Sequence, residues 1–223
     1  MPLNVTSFTP YVSLNAGLTL SQHEWNAFKL IQALKGKAIK GFANIPLSGM
    51  YFELRQENAH LAVEWFARMA SQYILQKQVP APLVFIPIPN SSCTADCSTA
   101  PRTVTLAQAV AEKLRPTSVV DCLRWQHAMG SASTGGGPRR PQTLYDSLVL
   151  TDDVPKQGTF ILIDDMKTTG GHLQACRAMI ESQGVTCDMA ICGGRTVWDH
   201  NQQPFTMAEE EIDDWGPTGT FGY

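Results

Sequence analysis

The chain has 223 residues, of which 43% are hydrophobic and 17% charged, a composition typical of a globular protein with a sizeable apolar core. Its formal net charge of −3 gives no reason to expect general attraction to nucleic acid or to an anionic membrane. It has neither a signal-peptide pattern nor a run of about eighteen apolar residues, so a cytoplasmic location is the default expectation. Its only close pair of cysteines, Cys93 and Cys97, offers too few ligands for zinc.

The amino-terminal part predicts two helices separated by a loop and a short strand. Residues 21–43 carry apolar side chains near helical spacing together with a basic edge. Residues 44–54 predict the loop and the strand, and residues 57–78 predict a long amphipathic helix with an aromatic stripe on its buried face.

Strands and helices then alternate, which predicts a Rossmann-like parallel sheet flanked by helices, an α/β fold. The predicted strands are 83–89, 118–122, 159–163 and 187–192, and the helices are 103–115 and 173–183. We expect a small amino-terminal hood over residues 1–56, a core over 57–198, and an acidic tail over 199–223 that extends into solvent.

Two long connections leave the predicted sheet where its strands end. Residues 90–102 follow the first predicted strand, and residues 126–142 are rich in Gly, Ser and Pro. Since open α/β sheets bind ligands at the carboxyl ends of their strands, these connections predict binding loops or a lid.

The stretch ILIDDMKTTGGHLQAC, residues 161–176, predicts the binding site. We expect a strand ending at Asp164 and Asp165, a turn over 166–171, and a helix from His172. A glycine-rich turn before a helix offers free backbone N–H groups to an anion. Two carboxylates beside a phosphate would repel it unless a sugar or Mg²⁺ lies between them, so the ligand is expected to be a phosphorylated sugar.

This stretch resembles the signature of the type I phosphoribosyltransferases, in which an apolar strand, two acidic residues and a Thr-rich turn hold phosphoribosyl pyrophosphate (PRPP). The resemblance implies catalytic roles for Asp164 and Asp165, which would hold the ribose hydroxyls and, through them, Mg²⁺. It implies that the 5-phosphate is bound by the turn, by Thr168, Thr169, Gly170, Gly171 and His172. The family usually has Thr or Ser where this chain has His172.

Further short segments are similar to the competence-protein-F-like branch of that family. They are LIQALKGK at 30–37, RRPQ at 139–142 and GGRT at 193–196. The 6-oxopurine salvage enzymes carry an aspartate where this chain has Thr168, so efficient salvage of those purines is not expected.

The resemblance also implies a pyrophosphate loop, which maps to Pro89, Asn90, Ser91 and Ser92. No Lys or Arg occurs between Pro87 and Pro101. Arg139 and Arg140 in the long flexible loop are therefore our candidate cations for the pyrophosphate. Lys167 is expected either to pair with one of the two aspartates or to point to solvent.

The implied activity is transfer of 5-phosphoribosyl from PRPP to a nitrogen acceptor, such as a nucleobase, with release of pyrophosphate. The alternative is a regulator that binds PRPP or a nucleotide, or a competence-like accessory protein, without efficient turnover. The sequence leaves open the acceptor, a homodimeric state and a role linked to nucleic acid.

Overall fold

The computed structural model describes residues 1–129, 140–201 and 203–217, which form ten strands and five α-helices. The strands are β1 (Leu3–Val12), β2 (Ala43–Leu47), β3 (Met50–Leu54), β4 (Leu83–Pro87), β5 (Thr117–Val119), β6 (Leu123–Trp125), β7 (Leu148–Leu150), β8 (Thr159–Lys167), β9 (Met189–Val197) and β10 (Ala208–Ile212). The helices are α1 (Gln22–Leu34), α2 (His60–Gln76), α3 (Arg102–Ala111), α4 (Pro141–Asp146) and α5 (Gly171–Glu181).

Six strands form one sheet in the order β10-β1-β9-β8-β4-β5. All neighbouring pairs are parallel except β1 and β10, which are antiparallel. The predicted parallel pairing of the first and third core strands is confirmed, since Leu83 lies opposite Thr159 and Pro87 opposite Ile163. Two separate two-stranded antiparallel sheets pair β2 with β3 and β6 with β7.

The central strands are apolar on both sides because helices cover both faces of the sheet. Alternate residues of β8 point into different cores: Ile161 and Ile163 belong to one, and Phe160 and Leu162 to the other. The first core, which we call the α1 side, contains buried residues of α1, α2 and α3. The second core, the α5 side, contains buried residues of α4 and α5.

Helix α1 begins with a capping box, in which Ser21 and Glu24 satisfy each other's backbone N–H groups. Its carboxyl end packs closely on the sheet because β9 carries glycine there. A Cβ at Gly193 would lie 2.6 Å from Cδ1 of Leu34 and 2.8 Å from the backbone oxygen of Asp165. The GGRT segment therefore has a packing role, which holds the end of α1 against the strand that carries the aspartates.

Strand pairing corrects two of the predicted regions. Residues 3–12, assigned to the hood, form β1 inside the main sheet, between β9 and β10. Residues 208–212, assigned to a solvated tail, form its antiparallel edge strand. Helix α1 also ends at Leu34, well before residue 43. Otherwise the division into hood, core and tail stays a prediction.

Within the described parts of the chain, none of the helices combines the length and the apolar character needed to cross a membrane.

Candidate functional site

The two aspartates lie near the carboxyl end of β8, inside the strand. Pairing with β9 continues past them, with Asp164 opposite Cys192 and Lys167 opposite Arg195. The turn that follows is therefore shorter than the predicted turn at 166–171. Asp164 is anchored locally, since its Oδ1 accepts a hydrogen bond of 2.8 Å from the backbone N–H of Asp165.

The aspartates occupy an environment that disfavours their charged forms. Burial raises the pKa of Asp164, and the neighbouring charge of Asp165 raises it further. Burial also raises the pKa of Asp165, although the positive charges of Lys35, Lys37 and Arg102 oppose that rise. A bound cation would favour the ionised forms of both carboxyl groups. We refer to Asp164 and Asp165 as the acid pair.

The turn after β8 combines a left-handed glycine with the start of a helix. Gly170 adopts a left-handed conformation with φ of 87°, and α5 begins at Gly171. A Cβ at Gly170 would lie 2.5 Å from Cδ1 of Ile212, so a larger residue would clash with β10. Thr168 and Thr169 are exposed in this turn, where hydroxyl and backbone N–H groups can face a ligand.

His172 lies in the first turn of α5 and is partly buried. Its ring meets the ring of Trp125 edge to face, with 5.5 Å between their centres. Burial lowers the pKa of His172, which favours the neutral imidazole at pH 7. A neutral imidazole can donate one hydrogen bond to a phosphate but brings no positive charge.

The predicted pyrophosphate loop lies beside the acid pair. The backbone N–H of Ile88 donates to the oxygen of Ile163, 2.9 Å away, so residues 89–92 leave the sheet next to Asp164. Nε1 of Trp125 donates to the backbone oxygen of Asn90 at 2.9 Å, which connects the loop with His172.

The side chain of Asn90 stabilises a turn within the loop at 89–92. Oδ1 of Asn90 accepts from the backbone N–H and from the hydroxyl of Ser92, at 3.1 and 2.8 Å. Pro89 is buried, while Ser91 is partly exposed. The acid pair, the turn at 168–171 and the loop at 89–92 therefore meet at one edge of the sheet.

Three cations near the acid pair were not among the predicted site residues. Lys35 and Lys37 follow α1, and Arg102 is the first residue of α3. Their charges act on Asp165. Lys35 and Lys37 were recognised only as part of a basic edge and of the LIQALKGK segment, because nothing in the sequence alone places the end of α1 beside β8.

Lys167 has a different partner from those expected. It forms an ion pair with Glu210 of β10, and Nε of Arg195 lies 3.7 Å from the other carboxylate oxygen of Glu210. Both expectations for Lys167 are therefore wrong: it neither pairs with the acid pair nor points freely to solvent, since 14% of its side chain is exposed.

Of the two predicted loop cations, Arg140 lies within the described residues and Arg139 does not. Arg140 is exposed and immediately precedes α4, which packs on α5. Arg139, with most of the predicted flexible loop at 126–142, lies outside the described residues.

The acid pair fits Mg²⁺ by the chemistry of its oxygen atoms. Among the described residues, however, no group of three or more His, Cys, Asp or Glu side chains is arranged to hold a metal ion. Two carboxylates would therefore share the ion with oxygen atoms of a ligand.

The fold is that of an α/β protein with a predominantly parallel six-stranded sheet, and the acid pair lies at the carboxyl edge of that sheet. No model of a known protein family matches the chain, and no curated protein sequence matches it.

Proposed function

We propose that the protein is a phosphoribosyltransferase of the type I family, similar to its competence-protein-F-like branch, which uses PRPP and Mg²⁺. One observation carries the proposal: the acid pair lies near the carboxyl end of a central strand, and a short turn with the left-handed Gly170 connects that strand to the start of α5. A carboxylate pair next to an anion site suits a ligand that carries hydroxyl groups beside a phosphate.

In this proposal the 5-phosphate is bound by the turn. The backbone N–H groups at the start of α5 and the hydroxyls of Thr168 and Thr169 donate hydrogen bonds to it. Neutral His172 adds one N–H donor. These contacts lie away from the reacting carbon, so their role is to orient the ribose over the acid pair.

The acid pair acts on the ribose. The lone pair of the acceptor nitrogen forms a bond to C1, the electron pair of the C1–O bond leaves with pyrophosphate, and the acceptor proton passes to solvent. Positive charge develops on the sugar, and Asp164 and Asp165 stabilise it while accepting hydrogen bonds from the 2- and 3-hydroxyls. Mg²⁺, when bound, supplies charge neutralisation for the pyrophosphate.

The second candidate function is binding of PRPP or a nucleotide without efficient turnover. The segment from Pro87 to Pro101, which contains the predicted pyrophosphate loop, has no Lys or Arg, and this favours the second function. Both functions need the same phosphate and ribose contacts, so they differ only in the fate of the C1–O bond.

Pyrophosphate release separates the two functions. The full chain is incubated with PRPP and Mg²⁺ and screened against nucleobases, amines and a fractionated cell extract. We expect acceptor-dependent release that disappears in the Asp164→Asn/Asp165→Asn double variant. PRPP binding without release under any acceptor would contradict transfer and support the regulator. Rapid turnover of hypoxanthine or guanine would contradict the role assigned to Thr168.

A further inference from the structure

Lys35, Lys37 and Arg102 approach the acid pair from two segments far apart in the chain. Nε of Arg102 donates to the backbone oxygen of Leu34, the last residue of α1, at 3.4 Å. Between the two lysines, Gly36 is left-handed with φ of 69°, and a Cβ on it would lie 3.8 Å from Cδ and Nε of Arg102. The start of α3 is thus fixed against the end of α1.

The end of α1 is also fixed against β8. Leu34 packs where Gly193 lacks a side chain, beside the backbone oxygen of Asp165. Nζ of Lys35 lies 5.6 Å from the centre of the Tyr11 ring, and Tyr11 lies near the carboxyl end of β1. The three cations therefore lie at the same edge of the sheet as the acid pair, on the α1 side.

These cations act on Asp165 without touching it. In the described part of the chain, none of the three lies within 4.0 Å of a carboxylate oxygen. Lys167 and Arg195, in contrast, are both paired with Glu210. The side-chain ammonium groups of Lys35 and Lys37 have no hydrogen-bond acceptor among the described residues, so they can bind an anion that lies beside the acid pair.

We propose that Lys35, Lys37 and Arg102 form a subsite for a pyrophosphate group, supplying the positive charge that residues 87–101 lack. This inference rests on the proposed function and specifies the orientation of the bound ligand. The 5-phosphate lies at the start of α5, the ribose over the acid pair, and the pyrophosphate between the end of α1 and the start of α3. An anion with several charges fits here because three cations converge on it.

The test uses inorganic pyrophosphate with Mg²⁺ as the probe, titrated calorimetrically into the full chain. The Lys35→Gln/Lys37→Gln double variant keeps the long polar side chains and removes two charges. We expect its affinity for pyrophosphate to fall about tenfold and to depend less on salt. Lys40→Gln is the matched control, because Lys40 is exposed in the same connection and is not among the charges acting on Asp165.

Ribose 5-phosphate, titrated in parallel, separates the subsite from the proposed function. We expect its affinity to fall much less than that of pyrophosphate, because the variant keeps every residue of the turn and of the acid pair and changes only the charges around Asp165. Unchanged pyrophosphate affinity in the double variant would overturn the subsite, even if PRPP binds. A further outcome is a parent that binds pyrophosphate but neither ribose 5-phosphate nor PRPP. If the double variant then loses pyrophosphate affinity, the result would support the subsite and overturn the proposed function.

Discussion

The raised pKa values of the acid pair predict how stability depends on pH. Burial, together with the charge of Asp165, raises the pKa of Asp164 from 3.8 to about 8 in the folded protein. Between these values the folded state binds a proton that the unfolded chain has released. The stabilisation that depends on this proton is fully present below pH 3.8, falls as the pH rises towards the pKa of the folded protein, and is lost once the pH has passed that pKa.

The size of this pH effect depends on how many more protons the folded state binds than the unfolded chain. One retained proton lowers the free energy of unfolding by at most about 1.4 kcal/mol for each pH unit of increase. Asp165 shares the effect, because its pKa is also raised and the two carboxyl groups titrate as a pair. The Asp164→Asn/Asp165→Asn double variant has no carboxyl group at these two positions. Its free energy of unfolding should therefore fall less steeply with pH between the unfolded and folded pKa values of the pair.

Urea unfolding of both proteins from pH 5 to pH 8 measures the effect. The free energy of unfolding of the parent, minus that of the double variant, should decrease steadily as the pH rises. All other ionisable groups are common to both proteins, so their contributions largely cancel in the difference. The exposed Asp153→Asn variant should follow the parent. Parallel curves for the parent and the double variant would refute the raised pKa values and the buried environment inferred for the pair.

Two further substitutions test the packing and charges around the site. Gly193→Ala places a methyl group against Leu34 and the backbone of Asp165, and should destabilise the protein by about 1–3 kcal/mol; Gly216→Ala, in open space, should not. Equal melting temperatures would contradict the close contact. Glu210→Gln removes the shared partner of Lys167 and Arg195 and should cost about 1 kcal/mol in urea unfolding, more than the exposed Glu211→Gln. Equal effects would show that the cluster adds no stability.

The sequence was sufficient for the strands that are apolar on both faces. β4 is buried throughout and β8 is buried over residues 160–163, and the order of these apolar runs with the following helices predicts a parallel sheet. β1 was missed because its segment mixes Ser and Thr with apolar residues, although Thr6, Ser7 and Thr9 are buried. Its position in the sheet depends on pairing with β9, which local patterns do not encode.

β10 was missed for an electrostatic reason. Three consecutive glutamates normally indicate a solvated segment. Here Glu209 pairs with Lys77, the residue after α2, and Glu210 pairs with Lys167 and Arg195, so partners distant in sequence allow the segment to form an edge strand.

The candidate site was predictable only where it is contiguous in sequence. The acid pair and the turn at 168–171 occur in one stretch, which predicts a strand, a turn and a helix in the correct order. Lys35 and Lys37 reach the same edge because Gly193 and Gly194 let α1 pack closely on β9, and Arg102 of α3 is connected with them by its hydrogen bond to Leu34. Such convergence depends on tertiary packing and has no local signal.

Calorimetric titration of PRPP with Mg²⁺ into the full chain tests the central claim most directly. The account predicts saturable binding to the parent and to Asp153→Asn, and none or far weaker binding to the Asp164→Asn/Asp165→Asn double variant. At a PRPP concentration about 100 times the dissociation constant, the parent should gain roughly 2.7 kcal/mol of stability. A folded parent that does not bind PRPP, or a double variant that binds it equally well, would contradict the account.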